Sequence, residues 1–171
     1  MCRRSTNSHK CILFYKGFLL VIAFTSFVLS IPLPARSQED SPYYFGSLHN
    51  KKYTYEEISS HPKVIFMFWA SWCHYCRAKL KEINSSPPRE EDISTFFISI
   101  GEKESVVSRF AERMNFNPYI TDNILLDTKG VLARKFGIIG IPFFVFLKEG
   151  RIVYEGYDFN EDLIKQFLQD E

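Results

Sequence analysis

Two cysteines near the middle of the chain, Cys73 and Cys76, have the spacing of a redox-active dithiol. An apolar run before them, 64–69, predicts a strand buried on both faces, and residues 73–83 predict a helix. Cys73 would then lie at the helix start, where unpaired N–H groups and the helix dipole lower a thiol pKa below about 8.5. Cys76 would lie one turn deeper on the same face. This arrangement lets Cys73 attack a disulfide and Cys76 resolve the mixed disulfide.

Two other interpretations of the Cys-x-x-Cys pair are open on the residues alone. Half of a four-cysteine zinc site is one, although the chain after residue 37 has no second cysteine pair. A static structural disulfide is the other, but so short a loop constrains the unfolded chain little. The remaining cysteines, Cys2 and Cys11, lie near the N-terminus and are poor candidates for chemistry. The spacing therefore favours redox activity.

Strands and helices alternate around the cysteines, which is typical of an α/β fold with a mixed sheet. Apolar residues at helical spacing predict a helix over 105–114, and a Gly turn at 148–150 predicts an antiparallel hairpin at the end. Residues 38–61 predict only a lead-in strand and a short helix. The other predicted elements are strands at 93–100, 120–126, 142–147 and 151–157, a turn at 127–130, and helices at 131–136 and 160–169.

Composition and charge exclude several classes of protein. The chain has 171 residues, 46% hydrophobic and 24% charged, which is typical of one compact domain. The first 37 residues carry five Lys and Arg and no acid, which leaves 16 basic residues against 20 acidic ones in the rest. Because the two signs are interspersed in that remainder, we expect no nucleic-acid partner.

The N-terminal residues have the order of a secretory signal. A basic stretch precedes an apolar run, 17–31, which is followed by small residues at Ala35 and Ser37. We predict a signal peptide over 1–37 and a functional domain over 38–171. The alternative is an uncleaved membrane anchor through the apolar run, and a buried hydrophobic helix is less favoured because no polar face is marked. Export would place the domain in an oxidising compartment.

Two separated motifs resemble the thioredoxin superfamily. The first is Phe-Trp-Ala-Ser-Trp-Cys-His-Tyr-Cys over 68–76, and the second, 136–150, contains Ile-Pro-Phe-Phe-Val-Phe-Leu. Between them, 105–114 and 124–136 resemble the exported TlpA/ResA branch of reductases. The resemblance covers most of 38–171. It implies a thioredoxin-like three-layer sandwich of the α/β class, in which helices lie on both faces of a central mixed β-sheet.

The resemblance also implies roles for individual residues. Cys73 would be the exposed nucleophile and Cys76 the resolving thiol. Pro142 would be a cis-proline that faces the cysteines, and the backbone of Ile141 would pair with an extended substrate segment. From the residues alone, a trans proline that opens an edge strand is an equally open interpretation.

The neighbours of the cysteines would tune substrate binding and reduction potential. By resemblance, Trp69 and Trp72 would pack beside the thiols and offer apolar surface to a client, whereas otherwise they are core and rim aromatics. The chain has Met67 where thioredoxins have a buried acid that takes the proton from the resolving cysteine. A cation at His74 would stabilise a thiolate and make the pair more oxidising, unless that side chain is merely exposed. Tyr75 is also found at this place in exported disulfide isomerases.

These features together predict an exported thiol:disulfide oxidoreductase that acts on protein substrates. We expect a reductase that receives electrons from a membrane thiol–disulfide donor, and a monomer with no cofactor and no metal. A disulfide oxidase or isomerase of the same fold is the alternative. The last residues carry no ER-retention signal, which favours the bacterial periplasm or cell envelope.

Two further alternatives come from related chemistry. A copper metallochaperone would hold soft metal with the thiolates and a histidine, for which His49 and His61 are the candidates. Those carriers resemble Cys-x-x-x-Cys, however, and this chain has two intervening residues. A peroxidase of the related peroxiredoxin branch would have Thr three residues before its cysteine, where this chain has Ala70.

Overall fold

A computed structural model describes residues 42–88 and 92–169, which form one seven-stranded sheet and six helices. The strands are β1 (Phe45–Ser47), β2 (Lys52–Tyr53), β3 (Lys63–Trp69), β4 (Ile93–Ile100), β5 (Ile124–Asp127), β6 (Phe143–Lys148) and β7 (Arg151–Gly156). The helices are α1 (Tyr55–Ser59), α2 (His74–Ser85), α3 (Glu104–Met114), α4 (Pro118–Thr121), α5 (Val131–Lys135) and α6 (Glu161–Gln169).

The sheet has the strand order β2–β1–β5–β4–β3–β6–β7. Its centre is parallel, because β4 pairs in parallel with both β3 and β5. The strands β6 and β7 extend it antiparallel on one side, and β1 and β2 do so on the other. The predicted mixed sheet and final hairpin are confirmed. The carboxyl ends of β3, β4 and β5 share one edge, and α/β proteins commonly bind ligands at such an edge.

Side chains of β3 alternate between two cores, as the two-residue period of a strand requires. Ile65 and Met67 join a core with buried residues of α2, α3 and α6, whereas Val64 and Phe66 join a second core with buried residues of α1 and α5. Every residue of β3 after Lys63 is buried. Helices therefore cover both faces of the sheet, which confirms the three-layer sandwich.

The predicted strand at 120–126 is only partly a strand. β5 begins at Ile124, and the residues before it form the short helix α4. Pro118 occupies the first turn of α4, and the side-chain oxygen of Asn117 accepts a hydrogen bond from the N–H of Ile120 at 3.3 Å. An Asn-Pro pair is a typical helix start, and here it takes precedence over the apolar residues that follow.

The lead-in segment contains two short strands rather than one. β1 and β2 pair antiparallel on either side of a turn in which Asn50 has a φ of 58°. The predicted short helix is α1, which begins with a capping box between Thr54 and Glu57. The second strand has only Lys52 and Tyr53, too few residues to show an alternating pattern.

The described residues contain no helix that is long and apolar enough to cross a membrane. The apolar run 17–31 lies outside the described residues. Cleavage of a signal peptide and anchoring through that run therefore both stay predictions.

Candidate active site at the disulfide

The turn between β3 and α2 places Cys73 at a helix start, as the sequence predicts. β3 ends at Trp69, and the N–H of Cys73 donates to the carbonyl oxygen of Ala70 at 3.1 Å, which closes a tight turn. Cys73 is the N-cap residue of α2, and its Sγ accepts a hydrogen bond from the N–H of Cys76 at 3.1 Å. An N–H group at a helix start stabilises a thiolate relative to a thiol.

Cys73 and Cys76 form a disulfide, with their Cα atoms 5.2 Å apart. Cys76 is completely buried, and Cys73 exposes only 6% of its surface. The expectation of an exposed Cys73 therefore needs correction for the disulfide form. Its Sγ is bonded to Cys76 and lies 3.6 Å from the carbonyl oxygen of Ile141, so little of it faces solvent. Cys73 is still the more exposed of the two cysteines.

Pairing between β3 and β6 brings Ile141 and Pro142 to the disulfide. Phe68 of β3 pairs with Phe143, the first residue of β6, so the residues just before β6 lie beside the turn that carries Cys73. The peptide bond between Ile141 and Pro142 is cis. Neither sulfur of a closed disulfide carries a proton, so the approach of Cys73 Sγ to the Ile141 oxygen is a van der Waals contact. Roles for Ile141 and Pro142 in substrate binding stay predictions.

Exposed apolar side chains lie around the disulfide. Trp72 exposes 72% of its surface and Tyr75 exposes 76%, which makes both available to a partner. Ile139 and Tyr157, which sequence reasoning missed, are also exposed. Tyr157 lies against the same loop, since a Cβ atom at Gly140 would be 3.1 Å from its hydroxyl. The available signal for Ile139 was its position two residues before the Ile-Pro pair.

His74 is exposed at the first position of α2. Its Nδ1 lies 3.5 Å from Nη2 of Arg77, and its ring meets Tyr75 edge-on at 5.9 Å. Sequence reasoning did not single out Arg77, which adds a cationic side chain to a first turn that contains no acid. Tuning of the reduction potential by His74 or Tyr75 stays a prediction.

Trp69 and Trp72 differ sharply in exposure. Trp69 is completely buried in the same core as both cysteines, where its ring packs on Phe110 at 5.5 Å between centroids. The expectation that Trp69 offers surface to a client is therefore wrong, because β3 directs this side chain into the core. Its indole N–H is buried without a hydrogen-bond partner among the described residues. Only Trp72 of this pair is available to a client.

Met67 is completely buried in the core that contains Cys76, so this position supplies no proton acceptor. A different acid lies close to the turn. Glu102, just after β4, is 9% exposed, and its carboxylate accepts hydrogen bonds from Ser71 and Ser99. Sequence reasoning missed Glu102, although its position at the carboxyl end of a central parallel strand was an available signal.

The described residues contain no cluster of three or more His, Cys, Asp or Glu that could hold a metal ion. His49 Nε2 lies 3.0 Å from the carboxylate of Asp122, and the His61 ring packs at 6.0 Å from Phe96. Neither histidine is among the described contacts of the disulfide. Ala70, the position considered for a peroxidase threonine, is completely buried.

Comparisons with known proteins agree with this geometry. The AhpC/TSA family model matches residues 39–155. An uncharacterized protein of Haemophilus influenzae is 29% identical over 125 residues, which cover 71% of this chain and 80% of that protein. Sporulation thiol-disulfide oxidoreductase A of Bacillus subtilis is 26% identical over 138 residues, which cover 76% of this chain and 81% of that protein. The crystal structure of StoA from Bacillus subtilis superposes with a TM-score of 0.61 at 21% identity, covering 74% of this chain and 96% of StoA.

The family match spans more than half of the chain and includes both the Cys73–Cys76 pair and the Ile141–Pro142 bond. The likeness to StoA shows a common fold, a central mixed sheet between layers of helices. The chain belongs to the AhpC/TSA family, with a thioredoxin-like fold and the disulfide site of a thiol:disulfide oxidoreductase.

Proposed function

We propose that the protein is an exported thiol:disulfide oxidoreductase that reduces disulfides in protein substrates. The observation that carries the proposal is the position of Cys73. Its Sγ accepts the N–H of Cys76 at the start of α2, and Cys73 is the more exposed residue of the disulfide. A thiolate held there is a good nucleophile and also a good leaving group, which disulfide exchange requires in both directions.

The reaction transfers two electrons from the protein to its substrate. The Cys73 thiolate attacks one substrate sulfur, which breaks the substrate S–S bond and forms a mixed disulfide. The departing substrate thiolate takes the proton of the Cys76 thiol. The Cys76 thiolate then attacks Cys73 Sγ, closes the internal disulfide and releases the second substrate thiolate. A membrane dithiol donor would afterwards return two electrons and one proton to the pair, which regenerates the Cys73 thiolate and the Cys76 thiol, and the donor's second proton would go to solvent.

The loop beside the disulfide would hold the substrate. An extended substrate segment would pair with the backbone of Ile141, whose carbonyl oxygen lies 3.6 Å from the reactive sulfur. Pro142 would keep this loop in place, and the exposed ring of Trp72 would cover apolar side chains of the client. His74 and Tyr75, between the cysteines, would adjust the stability of the thiolate.

Export rests on the N-terminal residues. Their order of basic stretch, apolar run and small residues predicts delivery to the periplasm or cell envelope. Mature protein recovered from the envelope and beginning at Gln38 would support cleavage. An intact apolar segment in a membrane fraction would support the anchored alternative, and recovery from the cytoplasm alone would contradict export.

The reduction potential tests the direction of electron flow. The full chain, purified as its host processes it, is equilibrated with glutathione or dithiothreitol buffers while tryptophan fluorescence is recorded, with Cys76→Ser as the control that cannot close a disulfide. A potential near thioredoxin's, about −270 mV, supports a reductase. A potential near about −120 mV favours an oxidase instead. Without a reversible two-electron transition, the redox proposal fails.

A further inference from the structure

We propose that Glu102 is a positioning residue of the redox site, which fixes the turn that carries Cys73 and makes the Cys73–Cys76 pair more reducing. The inference deepens the proposed function and rests on it. Glu102 lies far from the cysteines in sequence, just after β4. It is linked to them by hydrogen bonds from Ser71, which lies two residues before Cys73.

The carboxylate of Glu102 holds Ser71 at two atoms. The backbone N–H of Ser71 donates to Oε2 at 2.8 Å, and the Ser71 hydroxyl donates to Oε1 at 2.5 Å. The hydroxyl of Ser99, a buried residue of β4, donates to Oε2 at 3.1 Å. Both carboxylate oxygens therefore accept hydrogen bonds, and Glu102 links Ser71 to Ser99 of the neighbouring strand β4.

Ser71 controls the conformation of the turn. It is the second of four residues in the turn closed by the Cys73 N–H on the Ala70 carbonyl. Fixing both its backbone and its side chain leaves few alternative conformations for the next residue, Trp72, whose ring points to solvent. The same restriction fixes Cys73 as the N-cap residue of α2. Glu102 thus connects the sheet to both the reactive sulfur and the exposed aromatic ring.

Glu102 places an acidic side chain in a buried position, which is energetically unfavourable. The residue exposes 9% of its surface, and the ion pairs found among the described residues do not include it. Burying a carboxylate without a counter-ion is unfavourable, and hydrogen bonds only partly offset the penalty. A neutral amide at this place would still bind the Ser71 N–H. Because the carboxylate binds Ser71, which is two residues before Cys73, its charge would act on a thiolate formed at Cys73.

The sign of that effect follows from electrostatics. A negative charge near Cys73 disfavours the thiolate, which raises the thiol pKa and destabilises the reduced pair. A less stable reduced pair gives up its electrons more readily, so the potential is more negative. Loss of the charge should shift the glutathione equilibrium about three- to tenfold toward the dithiol. This shift corresponds to a potential about 14 to 30 mV less negative, at 29.6 mV per tenfold.

Two variants of the full chain separate the two parts of the proposal. Glu102→Gln removes the charge but keeps an acceptor for the Ser71 N–H, so we expect the less negative potential and a lower pKa for the Cys73 thiol. Ser71→Ala keeps the charge of Glu102 and removes the hydrogen bond from the Ser71 hydroxyl to Oε1. We expect it to leave the potential unchanged and to lower kcat/KM for a protein disulfide about threefold.

Asp127→Asn is the matched control, because Asp127 is the other buried carboxylate among the described residues and its side chain binds α5 instead of the turn. We expect this variant to keep the potential and the thiol pKa of the wild type. A folded Glu102→Gln protein with wild-type potential and thiol pKa would overturn the electrostatic part. Unchanged kcat/KM in Ser71→Ala would overturn the positioning part, even if Glu102→Gln did not fold. A wild-type protein without any reversible transition would instead overturn the proposed function.

Discussion

Two strand-to-helix turns at the same edge of the sheet have the same backbone hydrogen bond but different acceptors for the N–H groups of the following helix. The turn before α2 is closed by a hydrogen bond from the N–H of Cys73 to the Ala70 oxygen at 3.1 Å, and the turn before α5 by the equivalent bond from Gly130 to Asp127 at 3.0 Å. Before α5, the Asp127 carboxylate accepts the N–H groups of Val131 and Ala133 at 2.6 and 3.0 Å. Before α2, the acceptor of a helix-start N–H is the sulfur of Cys73.

The difference lies in which group receives the helix-start amides. A carboxylate is ordinarily ionised at neutral pH, so the bonds that it accepts contribute to stability. A thiol in the same electrostatic place is stabilised only when it becomes a thiolate, so the amides promote chemistry. The turn before α2 has no carboxylate of its own. It is held instead by the hydrogen bonds from Ser71 to Glu102, which lies just after the neighbouring strand β4.

The largest expected effect comes from the cysteines. Cys73→Ser removes the nucleophile, and we expect turnover of a protein disulfide to fall by about a hundredfold or more. Cys76→Ser should block turnover equally but leave a long-lived mixed disulfide on Cys73, visible by non-reducing gel and mass spectrometry. Stable adducts on Cys76 in the Cys73→Ser variant would reverse the assigned roles.

The exposed ring of Trp72, in the turn before α2, should affect the rate of reaction only with large substrates. We expect Trp72→Ala to lower kcat/KM for a protein disulfide about tenfold, because a large apolar contact to the client is lost. Exchange with glutathione, which is too small to need that contact, should be nearly unchanged. Tyr44→Ala, at another exposed aromatic residue, is the control. Equal losses in the two variants would show that Trp72 makes no specific client contact.

The turn before α5 should affect stability alone. Asp127→Asn weakens two hydrogen bonds to backbone N–H groups, and we expect the free energy of unfolding to fall by about 1 to 3 kcal/mol. Chemical denaturation measures this loss. If the variant kept full stability, or if its redox activity changed, the contrast between the two turns would be wrong.

The smallest effect concerns Tyr119, which belongs to neither turn. Burial raises the pKa of Tyr119, and its hydrogen bond to Thr95 at 2.9 Å only partly offsets that rise. Because the unfolded chain releases this proton near pH 10, the folded state loses stability as the pH rises from about 10 toward the raised value. Tyr119→Phe should remove this part of the alkaline decline in unfolding free energy. If the alkaline decline in Tyr119→Phe equalled that of the wild type, other groups would be responsible for it.

Local signals made the architecture and the reactive pair predictable. The buried run of β3, the Cys-x-x-Cys spacing and the Gly turn before β7 are all read within a few residues, and each is found at or near its expected place. The turn at 127–130 is of the same kind, since Asp127 binds residues only four and six positions ahead.

What the sequence did not reveal depends on contacts between distant residues. Glu102 meets Ser71 across 31 positions, and only the parallel pairing of β3 and β4 brings them together. Tyr157 reaches the loop at Gly140 because of where β7 ends, not through any local motif. The burial of Trp69 agrees with the strand over 64–69 that the sequence predicts to be buried on both faces, and only the client contact implied by the resemblance was wrong.

The pKa of the Cys73 thiol in the reduced protein shows whether the start of α2 activates Cys73 as the nucleophile. The measurement is the rate of iodoacetamide alkylation across pH, with mass spectrometry to identify the modified cysteine. We expect Cys73 to react first and to titrate below the ordinary value of about 8.5, because the N–H at the start of α2 stabilises its thiolate. A Cys73 pKa at or above that value, or faster alkylation of Cys76, would contradict it.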